Sequence, residues 1–380
     1  MLDEYLSGSV GQLLERARQL QGAISSKQYP SEFWALAQTC RNHVNSLITG
    51  FQTLLDDARY KRPESRSIRL REYTRLVDDL DFIECVGFSA LVRMNEDDKH
   101  VTLLVSEIAR EINYPLIPPV VSCQSTFSSY FHAFPALNLL RVPLKEGWFL
   151  LHLPDLYHEL AHFILEEENN PVTEPFRVSH ASAASAATGH LAGLMSKPIR
   201  GQETMQQNLL IWTACWMGAW SIEFFCDLYG TLAVGPAYGW AHFHLCAKRG
   251  GDPYYVEKTP DSTHPPDEAR MTVILEALAQ LNYSTEASAI ESKWKELNAS
   301  GGHKTNVDYQ QCFPRKVLAR FATEAFAGYK AMNCRFSTKD SGCRVHDFLN
   351  EAWAEFWRSP VDFAKWEQAT RAKLLSSRPS

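Results

Sequence analysis

The chain has 380 residues, 45% of them hydrophobic and 22% charged, with a formal net charge of −6. These are ordinary values for a globular protein with a substantial core, in one large domain or two to three modest ones. The acidic balance argues against a dominant nucleic-acid footprint. Nine scattered cysteines with no Cys-x-x-Cys pair argue against a disulfide framework or a structural zinc site. Met1-Leu-Asp-Glu-Tyr5 has neither the basic nor the apolar region of a secretory signal, and no stretch reads as the ~20 apolar residues of a membrane span. A cytoplasmic setting is therefore expected.

Residues 1–115 read as a helical N-terminal region. Ser31 can cap a helix in which Leu36, Cys40, Val44, Leu47, Ile48, Phe51, Leu54 and Leu55 recur at three- and four-residue steps. Arg59, Lys61 and Arg62 crowd its expected C-terminus before Pro63. Further helices are expected near residues 69–80, 82–93 and 101–112, with no recognisable chemistry. After Pro115 come short β-type runs at 120–124, 127–132, 136–142 and 148–151. The run 136–142 or its neighbour is the expected exposed edge, able to align a peptide by strand addition, unless these strands are only core support.

The stretch His158-Glu-Leu-Ala-His162 follows, flanked by Leu156, Phe163, Ile164 and Leu165 and closed by Asn169-Asn170-Pro171. Asp155 is the expected N-cap. Residues four apart share one helix face, so both imidazoles can reach one metal ion. Glu159 then stands beside the metal, placed to take a proton from an activated water and pass it to a leaving amine. The competing reading is an amphipathic helix whose histidines are solvated or hydrogen-bonded. A third ligand must come from another segment, because Leu165 and Glu168 occupy the places of the extended motif's glycine and histidine. Glu166 is too far from His158, roughly 12 Å along a helix.

The link 174–206 is small and polar, a helix or a mobile lid. Its His180 and His190 are runner-up ligands with expected surface roles. A single helix is expected over 205–229, with Gly230 as its stop, and it carries the best third ligand, Glu223. From Leu209 to Ile222 there is no charge, so a carboxylate at the end of that run needs a partner. Otherwise Glu223 is an ordinary acid on an exposed stripe. Asp227, one turn on, faces the same way and could accept the N–H of a ligand histidine.

His-Glu-x-x-His followed by Glu-x-x-x-Asp on a second helix resembles the gluzincin metallopeptidases. Ser262-Thr-His-Pro-Pro-Asp-Glu-Ala-Arg-Met271 is similar to the signature that follows the Glu helix in HtpX-type and CAAX-prenyl-protease-like members. The resemblance implies a zinc ion and places His264 and Arg270 at the cleft, holding substrate or the tetrahedral intermediate. A plain helix start at Thr263-His264-Pro265 is the alternative. The likeness runs over roughly residues 126–278 and departs from those membrane proteins in showing no span.

Past Gly230 another helix is expected through His242 and His244, which point in different directions and make no second site. Helices near 316–332 and 347–375 follow, the latter with an aromatic stripe of Trp353, Phe356, Trp357, Phe363 and Trp366. The expectation is thus a mainly α protein with a small β-sheet (α+β). Its zincin-like core, 116–300, lies between helical regions 1–115 and 301–380. Zn²⁺ on His158, His162 and Glu223, with Glu159 as general base, would make it a zinc endopeptidase acting on protein or peptide substrates, not on nucleic acid. Two other classes fit the same residues: a peptidase-derived binding module that keeps zinc, and an effector inert until a protein partner on the N- or C-terminal helices opens the cleft.

Overall fold

The computed structural model describes residues 2–124, 131–196, 203–339 and 341–376. It is mostly helical with a small three-stranded sheet, and it divides into two compact units. Residues 1–103 and 119–144 form the first, and residues 104–118 and 145–380 the second. The stretch 116–300 is thus shared between units, and 301–380 belongs with the second.

In the first unit α1 (Leu2–Ser25) packs along α2 (Trp34–Asp56). Val10, Leu14, Ala17 and Ile24 on one helix meet Cys40, Val44, Leu47 and Phe51 on the other, all buried at the three- and four-residue steps of a helix face. α2 stops short of the basic residues 59–62. Asp57 instead caps a separate 3₁₀ turn, Ala58–Lys61, by accepting the Arg59 N–H. α3 (Arg66–Phe82) continues through a π segment, Ile83–Phe88, into α4 (Ser89–Arg93). α5 (Glu96–Glu111) begins in this unit, and its residues from Leu104 belong to the other.

The sheet has the order β1-β3-β2, with β1 (Val120–Ser122) parallel to β3 (Leu139–Arg141) and β2 (His132–Phe134) antiparallel to it. Asp98 anchors β1 by accepting the Cys123 N–H at 2.6 Å, and the Thr102 hydroxyl accepts the Val121 N–H at 3.0 Å. Two expectations change. β3 is the central strand, paired on both sides, so 136–142 is not an open edge, and the edge positions fall to its neighbours β1 and β2. Residues 148–151 form no strand, because a 3₁₀ turn at Glu146–Trp148 leads into further turns. The run expected at 127–132 lies mostly outside the described residues.

The second unit contains α6 (Asp155–Glu166), α7 (Glu174–Met195), α8 (Glu203–Met217), α9 (Ala219–Val234), α10 (Pro236–Arg249) and α11 (Asp267–Gln280). It continues with α12 (Ser284–Ser300), α13 (Val307–Cys312), α14 (Arg315–Ala331), α15 (Arg344–Arg358) and α16 (Phe363–Ser376). Its centre is α9, buried at every residue from Glu223 to Val234 and packed against α6, α7, α8, α10, α11 and α14. Of the link expected at 174–206, Glu174–Met195 form helix α7, which runs against α14, and residues 197–202 lie outside the described residues. The stretch 347–375 is two helices broken at Ser359-Pro360, and the aromatic stripe is used in packing, with Trp240 against Trp357 at 4.7 Å and Phe356 against Phe363 at 5.5 Å.

The helix expected over 205–229 is also two, since α8 and α9 meet at Gly218 with a 46° bend. Among the described residues no single helix is long and apolar enough to cross a membrane; that bent pair meets the test only together, by length and composition. Nor does Gly230 end α9. It sits inside the helix, where an added Cβ would lie 2.9 Å from Tyr238 Cδ2, so its bare backbone seats the tyrosine ring.

The stop is Gly235, with φ 68° and ψ −136°. An added Cβ there would fall on the Ser337 hydroxyl. That hydroxyl is held by His346 Nε2 at 2.7 Å and Tyr283 Oη at 3.0 Å, so it cannot simply turn away. Strain at this backbone conformation plus overpacking should make Gly235→Ala about 3 kcal/mol less stable. A urea midpoint lowered at unchanged m-value is the expected readout.

Candidate metal centre

Pro154 already has helical angles, φ −57° and ψ −24°, and Asp155 is the first residue of α6 rather than its cap. One turn in, His158 and His162 stack along the same face with ring centroids 5.2 Å apart. The helix is fixed from outside by the Tyr114 hydroxyl, which donates to the Leu160 carbonyl at 2.9 Å. α9 packs on this face and presents Glu223. Glu223 Oε2 is 3.5 Å from His158 Nε2, and Oε1 is 3.7 Å from His162 Nε2.

These separations are too long for good hydrogen bonds, and Glu223 Oε2 is buried without a hydrogen-bond partner. An orphaned carboxylate oxygen is costly to bury. The distances suit a cation instead. With ligand bonds near 2.0–2.2 Å and tetrahedral angles, N···O edges of about 3.4 Å are expected. The side chains present therefore fit a divalent ion held by two imidazoles and a carboxylate.

Charge points the same way. Burial works against ionisation of Glu223, but His158, His264 and Arg270 outweigh it and hold the group well below the usual carboxylate range. Asp227 is likewise buried and likewise held low, chiefly by Arg270. Two carboxylates against one guanidinium leave a buried negative charge. Burial opposes a charge on His158 too, yet Asp227 and Glu223 raise it to about 10, so a proton there can balance the count. A divalent cation balances it equally well, displacing that proton on binding. His162 is pushed down to about 4 by burial and is neutral, the form that ligates. Glu159 is buried and pushed up to about 7 by desolvation, close to where a proton acceptor for neutral pH should lie.

Asp227 orients the first histidine. Its Oδ1 lies 3.0 Å from His158 Nδ1, which turns Nε2 toward Glu223. Tyr238, unforeseen in the sequence, donates its hydroxyl to the same Oδ1 and sits 2.9 Å from His158 Nδ1. Only the tight turn at Gly235 and the groove at Gly230 bring it there.

Arg270 lies against both carboxylates of α9. It is buried, and it donates from Nε to Asp227 Oδ2 at 2.7 Å and from Nη2 to Oδ1 at 2.6 Å. A guanidinium engaged on both oxygens braces Asp227, and its Nη2 also lies 3.6 Å from Glu223 Oε2. His264 does stand at the open side, with its side chain 52% exposed and Nε2 3.5 Å from Glu223 Oε2. Its Nδ1 lies 2.8 Å from the Thr263 hydroxyl, which fixes the ring.

The runner-up ligands are engaged elsewhere. His180 Nε2 meets the Ser221 hydroxyl at 2.8 Å, and His190 Nε2 meets the Gln311 carbonyl at 2.8 Å; both are half-buried rather than on the surface. A further donor was missed: the ligand-capable atoms of His158, His162 and Cys226 all lie within 4.8 Å of one another. The spacing from Glu223 to Cys226, three residues on α9, was the available signal. Burial and then the nearby carboxylates push the Cys226 thiol well above its ordinary range, so a metal would have to displace its proton, whereas Glu223 is already an anion.

No protein-family model, no curated protein and no solved structure matches this chain.

Proposed function

We propose that the chain is a zinc-dependent endopeptidase with a zincin-like arrangement of α6 and α9, in which His158, His162 and Glu223 hold the metal. The observation that carries this reading is the buried Glu223 carboxylate, whose Oε2, without a hydrogen-bond partner, faces His158 Nε2 and whose Oε1 faces His162 Nε2, with Glu159 next in chain to the first histidine. A bound zinc ion supplies an acidified water and polarises a carbonyl. The chain supplies the rest. Glu159 accepts a proton at its carboxylate and returns it to the departing amine. Asp227, braced by Arg270 and Tyr238, keeps His158 in one tautomer and orientation. His264, at the open side, donates toward developing negative charge on the substrate. The substrate is a protein or peptide. The nine cysteines, none in a disulfide, fit a reducing, cytoplasmic setting.

Metal content tests the ligand set. Elemental mass spectrometry should find one zinc equivalent per chain fewer in both His158→Ala and Glu223→Ala than in the wild type. Zinc retained in Glu223→Ala would transfer the third ligand to Cys226. No loss in either variant would remove the peptidase reading altogether.

A further inference from the structure

Two helices packed on α9, α10 and α11, bring together a second set of metal-ligating atoms. His242 and Cys246 lie four residues apart on α10, one above the other, and Asp267 is the first residue of α11. The ligand-capable atoms of all three lie within 4.8 Å of one another. His242 and Cys246 are buried, and the Asp267 side chain is 16% exposed. We propose that His242, Cys246 and Asp267 form a second cation site, selective for a thiophilic divalent metal such as zinc.

The separation of the two α10 donors favours this. Cys246 Sγ is 3.6 Å from His242 Nε2. A zinc ion with bonds of about 2.3 Å to sulfur and 2.0–2.1 Å to nitrogen, at a tetrahedral angle, requires an S···N edge of about 3.6 Å. The separation, spanned by an Sγ–Nε2 hydrogen bond while no ion is bound, already equals that edge. Donor type favours it as well: one thiolate, one imidazole and one carboxylate suit zinc rather than calcium or magnesium, which take oxygen.

Protonation states follow. Burial drives His242 down to about 4, so the ring is neutral and ligates without losing a proton. Asp267 is a carboxylate: burial opposes its charge, but His242, Arg249 and Arg270 outweigh that and hold it low. Burial and then Asp267 keep the Cys246 thiol protonated while no ion is bound. Metal uptake therefore breaks the S–H bond, forms the sulfur–metal bond and releases one proton to solvent. Thiolate, carboxylate and divalent ion sum to zero charge. Arg249 donates to Asp267 Oδ1 at 2.5 Å and so fixes the carboxylate, the support that carboxylate ligands ordinarily have. Three protein donors leave a fourth position to water, reached from the Asp267 side.

Placement gives the site a use. α10 carries Tyr238 and α11 carries Arg270, the two residues that donate hydrogen bonds to the Asp227 carboxylate. An ion clamped by His242, Cys246 and Asp267 ties those helices together three residues before Arg270. It would stabilise the support of the first centre without taking part in its chemistry. The inference stands apart from the peptidase reading, since none of its three ligands belongs to the first centre.

Cobalt(II) titration of the full-length, metal-stripped protein, followed by absorption, tests it. Wild type should show a near-ultraviolet thiolate-to-cobalt charge-transfer band and one proton released for that equivalent. The band should vanish in Cys246→Ser and persist in His158→Ala and Cys226→Ser, while Asp267→Asn should weaken cobalt binding at this site by at least about tenfold. Asp267→Asn retains the thiol and the packing, so it decides the matter should Cys246→Ser fail to fold. A band that is absent from wild type, survives Cys246→Ser or is unmoved in Asp267→Asn overturns the site. A band lost in Cys226→Ser assigns the thiolate to the first centre and overturns it equally.

Discussion

Glu159→Gln is expected to keep its full complement of zinc and to lose peptide turnover by roughly 10²–10⁴-fold, the range for removal of a positioned proton carrier. The amide matches the carboxylate in shape but cannot accept the proton. Metal content should not change, because Glu159 is on α6 between ligands and is not one of them. Folding should not suffer either. Burial holds the Glu159 carboxyl up at about 7 against an ordinary value of 4.5, so in the native state its ionised form is the disfavoured one. A raised carboxyl pKa means that the native state binds more protons than the unfolded one, and stability from this group falls as pH rises from 4.5 through 7. Metal-free wild type should show that component of pH dependence and metal-free Glu159→Gln should lack it, with a melting temperature equal or higher above neutrality. Product profiling on a proteome-derived peptide library, beside elemental analysis of the same samples, gives the kinetic half of the answer. A Glu159→Gln protein that still cleaves would end the general-base assignment.

What the sequence made legible follows from how local each feature is. The pairing of His158 with His162 depends on four residues of helix and nothing else, so periodicity alone carried it. Glu223 and Asp227 were legible because a charge at the end of an uncharged run demands a partner, wherever that partner comes from. For Arg270 the cleft was only what the family resemblance implied; its pairing with Asp227 is decided by how α11 packs on α9, and no local pattern encodes that. Tyr238 is the clearest loss. A tyrosine in an aromatic helix looks like core, and only the bend at Gly235 and the bare backbone at Gly230 convert it into a hydrogen-bond donor to Asp227. Gly230 itself misled, since glycine signals both helix ends and close approaches, and here it was the second. Strand roles failed for a related reason: three-residue strands have too little pattern to say which is central, and β3 acquired two partners through contacts made elsewhere in the chain. The clustering of His242 with Cys246 shows the opposite error, in which attention to the nearest histidine pair, His242 and His244, passed over the pair with helical spacing.

The second large effect belongs to the brace. Arg270→Met should lower stability by about 3–5 kcal/mol, the cost of leaving one member of a buried ion pair uncompensated. Asp227 has no exposed surface, and both its oxygens are occupied by the guanidinium. Without Arg270, the Tyr238 hydroxyl and His158 Nδ1 remain, and neither brings a permanent positive charge. His158 would then be drawn further toward its protonated form, which competes with metal. Zinc affinity should accordingly fall by roughly 10–100-fold, as when other supports of a ligand histidine are removed. Asp227→Asn alone should be costly for the mirror reason, a buried guanidinium facing a neutral amide. The double variant Arg270→Met with Asp227→Asn separates charge from packing. If the penalty is electrostatic, the double variant recovers much of the stability lost by either single change, because a buried pair removed whole costs far less than one broken in half. Urea unfolding of the four proteins without metal measures that coupling. Full additivity of the two single losses would mean that the two side chains act as independent packing elements, and the account of Asp227 as a charge braced on three sides would have to be given up. Recovery of stability in the double variant without recovery of zinc affinity is the expected pattern. An amide in place of the Asp227 carboxylate carries no charge to hold the His158 Nδ1–H, and orientation of that ring is the function the brace supports.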